Sequence, residues 1–569
     1  MPFYMGRRSW PMQRILIVTC CLMAVLMIGI LSTTVIGYSP VVNSLGKVLP
    51  PDAAPLEKQI FRFMAGEPQS LDISIDLYHA EASEFMFERL LLRDQNNDLV
   101  PGAADTWQVS EDGLTWTFNL RPGNRWTDGR PVTAHDFEYT FHRLLNPASG
   151  NRLAFLYYDI TGAQDFTSVK TSTTEKIGVR AIDDLTLEIT TDRACPYLPH
   201  IVAFQGSSPV PRWQVEKYGK RWTEQSNIVS NASYRMTEWA TGQFMKFELN
   251  PMYSGPNMGS VEQIVEFFSS PRLADLMAYE NNEIDLAAVP PQDMDRIRRD
   301  PVLSQELVTF SYHDTRYLIF RTQKPPFDDL RVRQAFALAI DRDALCNVVL
   351  KGMHKPASGM IEPGYYPGLD LYDNTPYQQY NPEKARRLLT DAGYPDGKGF
   401  PTIPLALATN TSSMAALEIE AIQQMLQETL NISIKIEIIE NRVWTDRMYQ
   451  YDLPLSYMTW WRDFPDPNNQ LGAPWRTRAK GLGRQDWISP SFNTLIDEAA
   501  YEQDPKKRMQ MYADAQRILS REAGGIFIRH RYGHQLRKPW IKGIGVDRKG
   551  YFPYNGHGTK VVYDVYVGE

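Results

Sequence analysis

The chain has 569 residues, 43% hydrophobic and 22% charged, an ordinary globular composition too long for one hydrophobic core and so expected to divide into two or three domains. Its formal net charge is −7 with no extended basic run beyond the N-terminus, so the electrostatic footprint of a nucleic-acid-binding protein is missing. The 13 Trp and 29 Tyr suit either a thick core or a large cavity walled by rings with polar edges.

At the N-terminus, Arg7, Arg8 and Arg14 precede an uncharged, almost continuous apolar run from Ile15 to Tyr38. The run exceeds the ~20 residues that cross a bilayer and the usual apolar stretch of a cleaved signal, so one transmembrane or signal helix is expected within residues 1–38. The arginines belong on the cytoplasmic side and the remainder of the chain outside. Cys20 and Cys21 lie inside the run and no clear small-x-small cleavage site follows it, which favours an uncleaved anchor over a cleaved signal. Residues 39–55, with Pro40, Pro50, Pro51 and Pro55, read as a tether. Past the apolar run only Cys195 and Cys346 remain, which argues against a disulfide framework and makes a bond between them the lesser reading. No Cys/His spacing typical of metal sites occurs, and no metal or cofactor is expected.

Gln59–Met64 reads as a strand, Glu67–Asp72 as a turn and Ala80–Leu91 as a helix by its apolar period. Strict alternation over Thr115–Leu120 places Trp116, Phe118 and Leu120 on one sheet face, and Arg121-Pro122-Gly123 ends the strand. Thr133 or its neighbour caps a helix that runs to Leu145. Asp328-Asp329 caps another through Arg331–Ile340, whose Val332, Ala335, Phe336 and Ala339 form a core face. Asn381 with Pro382 opens a helix that Gly393 stops. Met414–Leu430 is an amphipathic helix followed by the alternating Ile432, Ile434, Ile436 and Ile438. Two further helices, Phe492–Tyr501 and Pro505–Arg521, lead to a buried strand at Ile526–Ile528, and His530 and His534 continue in a strand-like segment. The alternation of helix and strand defines an α/β protein.

One stretch stands out chemically: Thr459-Trp460-Trp461-Arg462-Asp463-Phe464-Pro465-Asp466-Pro467 compresses rings, a cation and two carboxylates between turn-forming prolines. A ligand site needs apolar walls and a few fixed polar groups, and Asp463 beside two indoles offers a carboxylate to an ammonium group in partly dry surroundings. A core Trp pair with turn-capping carboxylates accounts for the same residues equally well.

Several motifs carry a family resemblance. They are Leu99-Val100-Pro101-Gly102 through Trp107, Trp116-Thr117-Phe118, Arg121-Pro122-Gly123 through Phe137, Asn250-Pro251-Met252-Tyr253, Lys324-Pro325-Pro326-Phe327 through Ala335, Ala339-Ile340-Asp341-Arg342, and Asn381-Pro382-Glu383-Lys384-Ala385 to Ala392-Gly393-Tyr394. In order and density they resemble the signature of the peptide/nickel-type extracellular solute-binding proteins (family 5) that serve ABC importers, and the resemblance covers about residue 56 to the C-terminus. It implies a two-lobed, periplasmic-binding-protein-like (Venus flytrap) fold with hinge strands and an extra inserted domain. The first lobe takes 56–98, 230–310 and 541–569, the inserted domain 99–229, and the second lobe 311–540.

In peptide-binding members of that family, a Trp three residues before an Asp marks the wall and the anchor for the ligand's amino group. Trp460 and Asp463 stand at that spacing, and Trp461 is placed to wall a side-chain pocket. Tyr312 and Tyr317 fall where the family sets aromatic residues at the start of the second lobe, with sheet core as the equal alternative. Tyr78 and His79 lie where the first lobe offers backbone to an extended ligand. Arg529, His530 and Arg531 are placed to meet a ligand carboxylate, a solvated basic edge being the plainer reading. The resemblance therefore implies a monomeric, extracytoplasmic binding component that delivers peptides to ABC permease and ATPase subunits and meets the membrane through its N-terminal helix. The alternatives are a membrane-tethered sensor of the same fold, or import of a nickel chelate, haem, oligosaccharide or opine. The sequence contains no GxSxG, P-loop or HExxH, and an enzyme is not expected.

Overall fold

The computed structural model describes residues 40–75, 82–268, 273–366, 369, 375–409, 411–477, 485–545 and 561–569. The helix expected within 1–38 lies outside them, and among the described residues no helix is long and apolar enough to cross a membrane.

Alternating strands and amphipathic helices assemble into a two-lobed α/β architecture whose lobes share one sheet. Its strand order is Ile434–Ile439, Ile403–Ala408, Leu455–Trp460, Leu307–Phe320, Gly525–Arg537, Leu286–Ala288, Ile60–Ala65, Gln263–Phe268, Phe244–Leu249 and Tyr234–Ala240, with Lys355–Pro356 paired to the side. The two longest strands, Leu307–Phe320 and Gly525–Arg537, cross from one lobe to the other. Leu307–Ser311 pairs with Tyr532–Leu536 beside the first group of strands, and Thr315–Ile319 pairs with Gly525–His530 beside the second. Between Ser311 and Thr315 the register shifts, and there His313 adopts a φ of 58°, a left-handed conformation rare for a side chain of this size.

Each lobe has its own core. Phe61, Phe85, Trp126, Phe137, Trp222 and Phe247 belong to one buried cluster, and Leu318, Phe336, Ile422, Leu455 and Ile528 to another. A third gathers Tyr317, Trp460, Trp475 and Phe527. A separate antiparallel sheet, ordered Ala104–Val109, Thr115–Leu120, Thr186–Thr190 and Val179–Ala181, packs against helix Ala134–Leu145. That helix opens on a reciprocal cap in which the Thr133 N–H donates to Asp136 Oδ2 at 2.8 Å. Asp329 accepts from the Arg331 N–H at the start of Leu330–Ala339, and Asn381 from the Lys384 N–H at the start of Pro382–Asp391.

The helix expected over Ala80–Leu91 is not the structure's solution. Only Ser83–Met86 is helical, and Leu91–Arg93 is a strand paired with Leu99–Pro101; residues 80 and 81 lie outside the described residues. Leu90, Leu91 and Leu92 are all fully buried, so this apolar run is covered on both faces and has no solvent side for a helix to present. Cys195 and Cys346 are both free and buried.

Candidate functional site

Pairing with Thr315–Phe320 carries strand Leu455–Trp460 to its end opposite Thr315, after which the chain turns through residues 461–467 into the helical turn Asn468–Gly472. Asn469, wholly buried, organises that turn. Its Oδ1 accepts from Trp460 Nε1 at 3.2 Å and from the Asp463 N–H at 3.1 Å, and its Nδ2 donates to Asp463 Oδ2 at 2.9 Å. One amide therefore fixes both the indole and the carboxylate, using the acceptor and donor that an amide combines.

The two carboxylates of the stretch have different fates. Asp466 receives two bonds from Arg508, both 2.7 Å, and Arg508 also reaches the Tyr512 hydroxyl at 3.2 Å. A buried, bidentate pair of this kind is a structural clasp. Asp463 accepts from the Asn469 amide and borders a cavity of about 310 Å³. Trp460, Trp461, Trp444, Met448, Arg152 and Phe155 are among its lining residues, and the Phe155 ring lies 6.4 Å from that of Trp460. The volume is at the small end of the range for small-molecule sites. Across the same turn Phe464 stacks on Tyr197 at 5.7 Å, with the planes 8° apart, so the 461–467 segment is packed against the region that contributes Arg152 and Phe155.

The remaining sequence expectations divide. Arg531 lies 3.9 Å from the Tyr312 ring and 4.9 Å from the Trp461 ring, and its Nε donates to Asp314 at 2.6 Å, so Tyr312 and Trp461 meet around one cation at the hinge. Tyr317 is buried against Trp475 at 5.2 Å and Phe527, within the core beneath the sheet and off the cavity wall. Arg529 is buried too, donating to Glu418 at 2.9 Å, while the Tyr457 hydroxyl donates to the same carboxylate at 2.6 Å. It is neither a ligand contact at this cavity nor a solvated edge, because its charge is consumed inside the second lobe. His530 is 2% exposed, its Nδ1 lies 3.0 Å from Thr315 Oγ1, and burial lowers its pKa, so it offers no cation to a carboxylate. Tyr78 and His79 lie outside the described residues.

Sequence reasoning missed Asn469, Phe155 and the helix Asn441–Tyr449. The last left a readable signal, since Trp444, Thr445, Met448 and Tyr449 repeat on one helical face toward the cavity. Asn469 and Phe155 left none, because their roles come from residues brought near only by folding.

Two strand groups joined by two long crossing strands, with an aromatic and carboxylate-lined cavity beside the crossing, define the class of two-lobed solute-binding proteins. The chain belongs to the bacterial extracellular solute-binding proteins, family 5, whose middle region matches residues 98–481. It is 30% identical over 496 residues to the periplasmic oligopeptide-binding protein OppA of Salmonella typhimurium, covering 86% of this chain and 90% of the relative. It is 28% identical over 503 residues to the dipeptide-binding protein DppE of Bacillus subtilis, covering 87% and 91%. Among solved structures, the murein tripeptide binding protein MppA of Escherichia coli superposes with a TM-score of 0.77 at 27% identity, covering 91% of this chain and all of that one.

Proposed function

We propose that this protein is the extracytoplasmic receptor of an ABC import system, capturing short peptides between its lobes and delivering them to permease and ATPase subunits. The observation that carries this reading is Asp463, held by the Asn469 amide at the edge of an aromatic cavity. A fixed carboxylate of this kind captures an ammonium group by a charge-assisted hydrogen bond. Relatives named for oligopeptides and dipeptides support the ligand class, and their roles in binding support a receptor without catalysis.

The lobes close over the ligand as a monomer, the first comprising 56–98, 230–310 and 541–569, the second 311–540, with 99–229 inserted; the shared sheet supports this division. The uncharged run from Ile15 to Tyr38 supports attachment to the outer face of the cytoplasmic membrane. Calorimetric titration of the full chain tests the central claim: free-amine peptides bind, and failure of every peptide tried while a metal chelate or sugar binds would refute it. A mature start beyond residue 38, read by mass spectrometry of the membrane fraction, would rule out the anchor.

A further inference from the structure

Arg89 is wholly buried, and its Nε, Nη1 and Nη2 all lack a hydrogen-bond partner among the described residues. Four residues on, Arg93 is 2% exposed and its Nε and Nη1 are equally unpartnered. Several other buried guanidinium groups find acceptors: Arg508 holds Asp466, Arg529 holds Glu418, and Arg342 donates to the Ala337 carbonyl at 3.0 Å. The Arg321 guanidinium, likewise without a hydrogen-bond partner among the described residues, rests 5.2 Å from the Tyr451 ring. A guanidinium carries five donors and stays charged, so its burial calls for acceptors, and among the described residues these nitrogens have no hydrogen-bond partner.

The neighbouring carboxylate is committed elsewhere. Glu88 is held by Arg121 at 2.8 Å, the Tyr253 hydroxyl at 2.6 Å and Asn257 at 2.9 Å. The backbone is rigid at this point, since the Ala103 N–H donates to the Arg89 carbonyl at 2.7 Å, and a Cβ at Gly102 would lie 2.3 Å from that oxygen. Arg93 lies within the fields of the Glu84 and Asp463 carboxylates, and the Tyr157 phenol within those of both Asp463 and Arg89. Arg93 thus lies within electrostatic reach of the amine anchor, with Arg89 four residues before it in sequence.

Building on the peptide reading, we propose that Arg89 and Arg93 form the recognition site for a carboxylate on the ligand, so that the preferred solute carries an acidic group close to its free amine. The planar fork of a guanidinium matches a carboxylate with two parallel bonds, and one bound anion screens the repulsion between two buried cations. Burial, and then Arg89, bring the Arg93 pKa down to about 9, a shift that a bound carboxylate opposes. The carboxylate has two sources, an acidic side chain near the N-terminus or the C-terminus of a very short peptide.

Calorimetry on the full chain separates them, using tripeptides with Glu or Gln at each position in turn and with a free or amidated C-terminus. The expected result is that one of the two carboxylates raises affinity at least about tenfold over its neutral counterpart, and that Arg89→Gln and Arg93→Lys each shrink that gap to about threefold or less. The Lys variant keeps the charge and removes the fork, which guards against a Gln variant that does not fold. Equal affinities across the wild-type series, or an unchanged gap in either folded variant, would overturn the carboxylate site while leaving the peptide reading standing. Binding of none of these peptides would overturn both.

Discussion

The side-chain amide of Asn469 lies 2.9 Å from Asp463 Oδ2 and, through its oxygen, 3.2 Å from Trp460 Nε1. The anchor carboxylate and the indole wall are therefore one hydrogen-bonded unit, supported by a residue that is itself fully buried. Such support keeps the carboxylate in place before a ligand arrives, so less ordering is required on binding.

Replacing the anchor tests its partner. Asp463→Ala is expected to weaken free-amine peptides by about 1.5–3 kcal/mol, roughly ten- to a hundredfold, and N-acetylated peptides much less. Calorimetry with matched peptide pairs gives the answer, and an equal loss for both would exclude the amine role.

Removing the support has a mixed effect. Asn469→Leu strips partners from the Trp460 indole, the Asp463 N–H and the Asp463 carboxylate together. Each hydrogen bond lost costs ~0.5–1.5 kcal/mol net, so both stability and affinity for free-amine peptides are expected to fall. Urea unfolding and calorimetry on the same preparation measure the two losses, and an unchanged affinity would show that the carboxylate positions itself.

The other carboxylate of the stretch behaves as a structural element. Asp466→Asn breaks a buried bidentate pair with Arg508 and is expected to cost ~3–5 kcal/mol of stability without altering the preference for a free amine. A stability loss under about 1 kcal/mol in urea unfolding would mean that the pair is solvated.

Acid sensitivity follows from His200. Burial first, and then the charge of Arg93, bring its pKa from an ordinary 6.5 to about 4 in the folded state. The unfolded chain takes up the proton first, so this residue's stabilisation is complete above pH 6.5 and is lost as pH falls from there to about 4. The shift corresponds to roughly 3 kcal/mol. His200→Gln is expected to flatten the stability curve over that interval, as measured by urea unfolding at stepped pH, and an unchanged slope would assign the acid response to other groups.

What the sequence determined by itself is local. Thr133 with Asp136, Asp329 and Asn381 cap helices through neighbours within four residues, and the alternation at Thr115–Leu120 needs only the two-residue repeat of a strand. Even the Trp460 and Asp463 spacing was legible, because both sit in one turn. Which charges pair with one another was decided only by the tertiary structure. Asp466 is cancelled by a residue 42 positions away and Arg529 by one 111 positions away, while the Arg89 guanidinium has no hydrogen-bond partner among the described residues although Glu88 adjoins it. Charge is neutralised by whatever folding brings within hydrogen-bond reach in a medium of low dielectric, and neither distance nor burial is written in the order of residues.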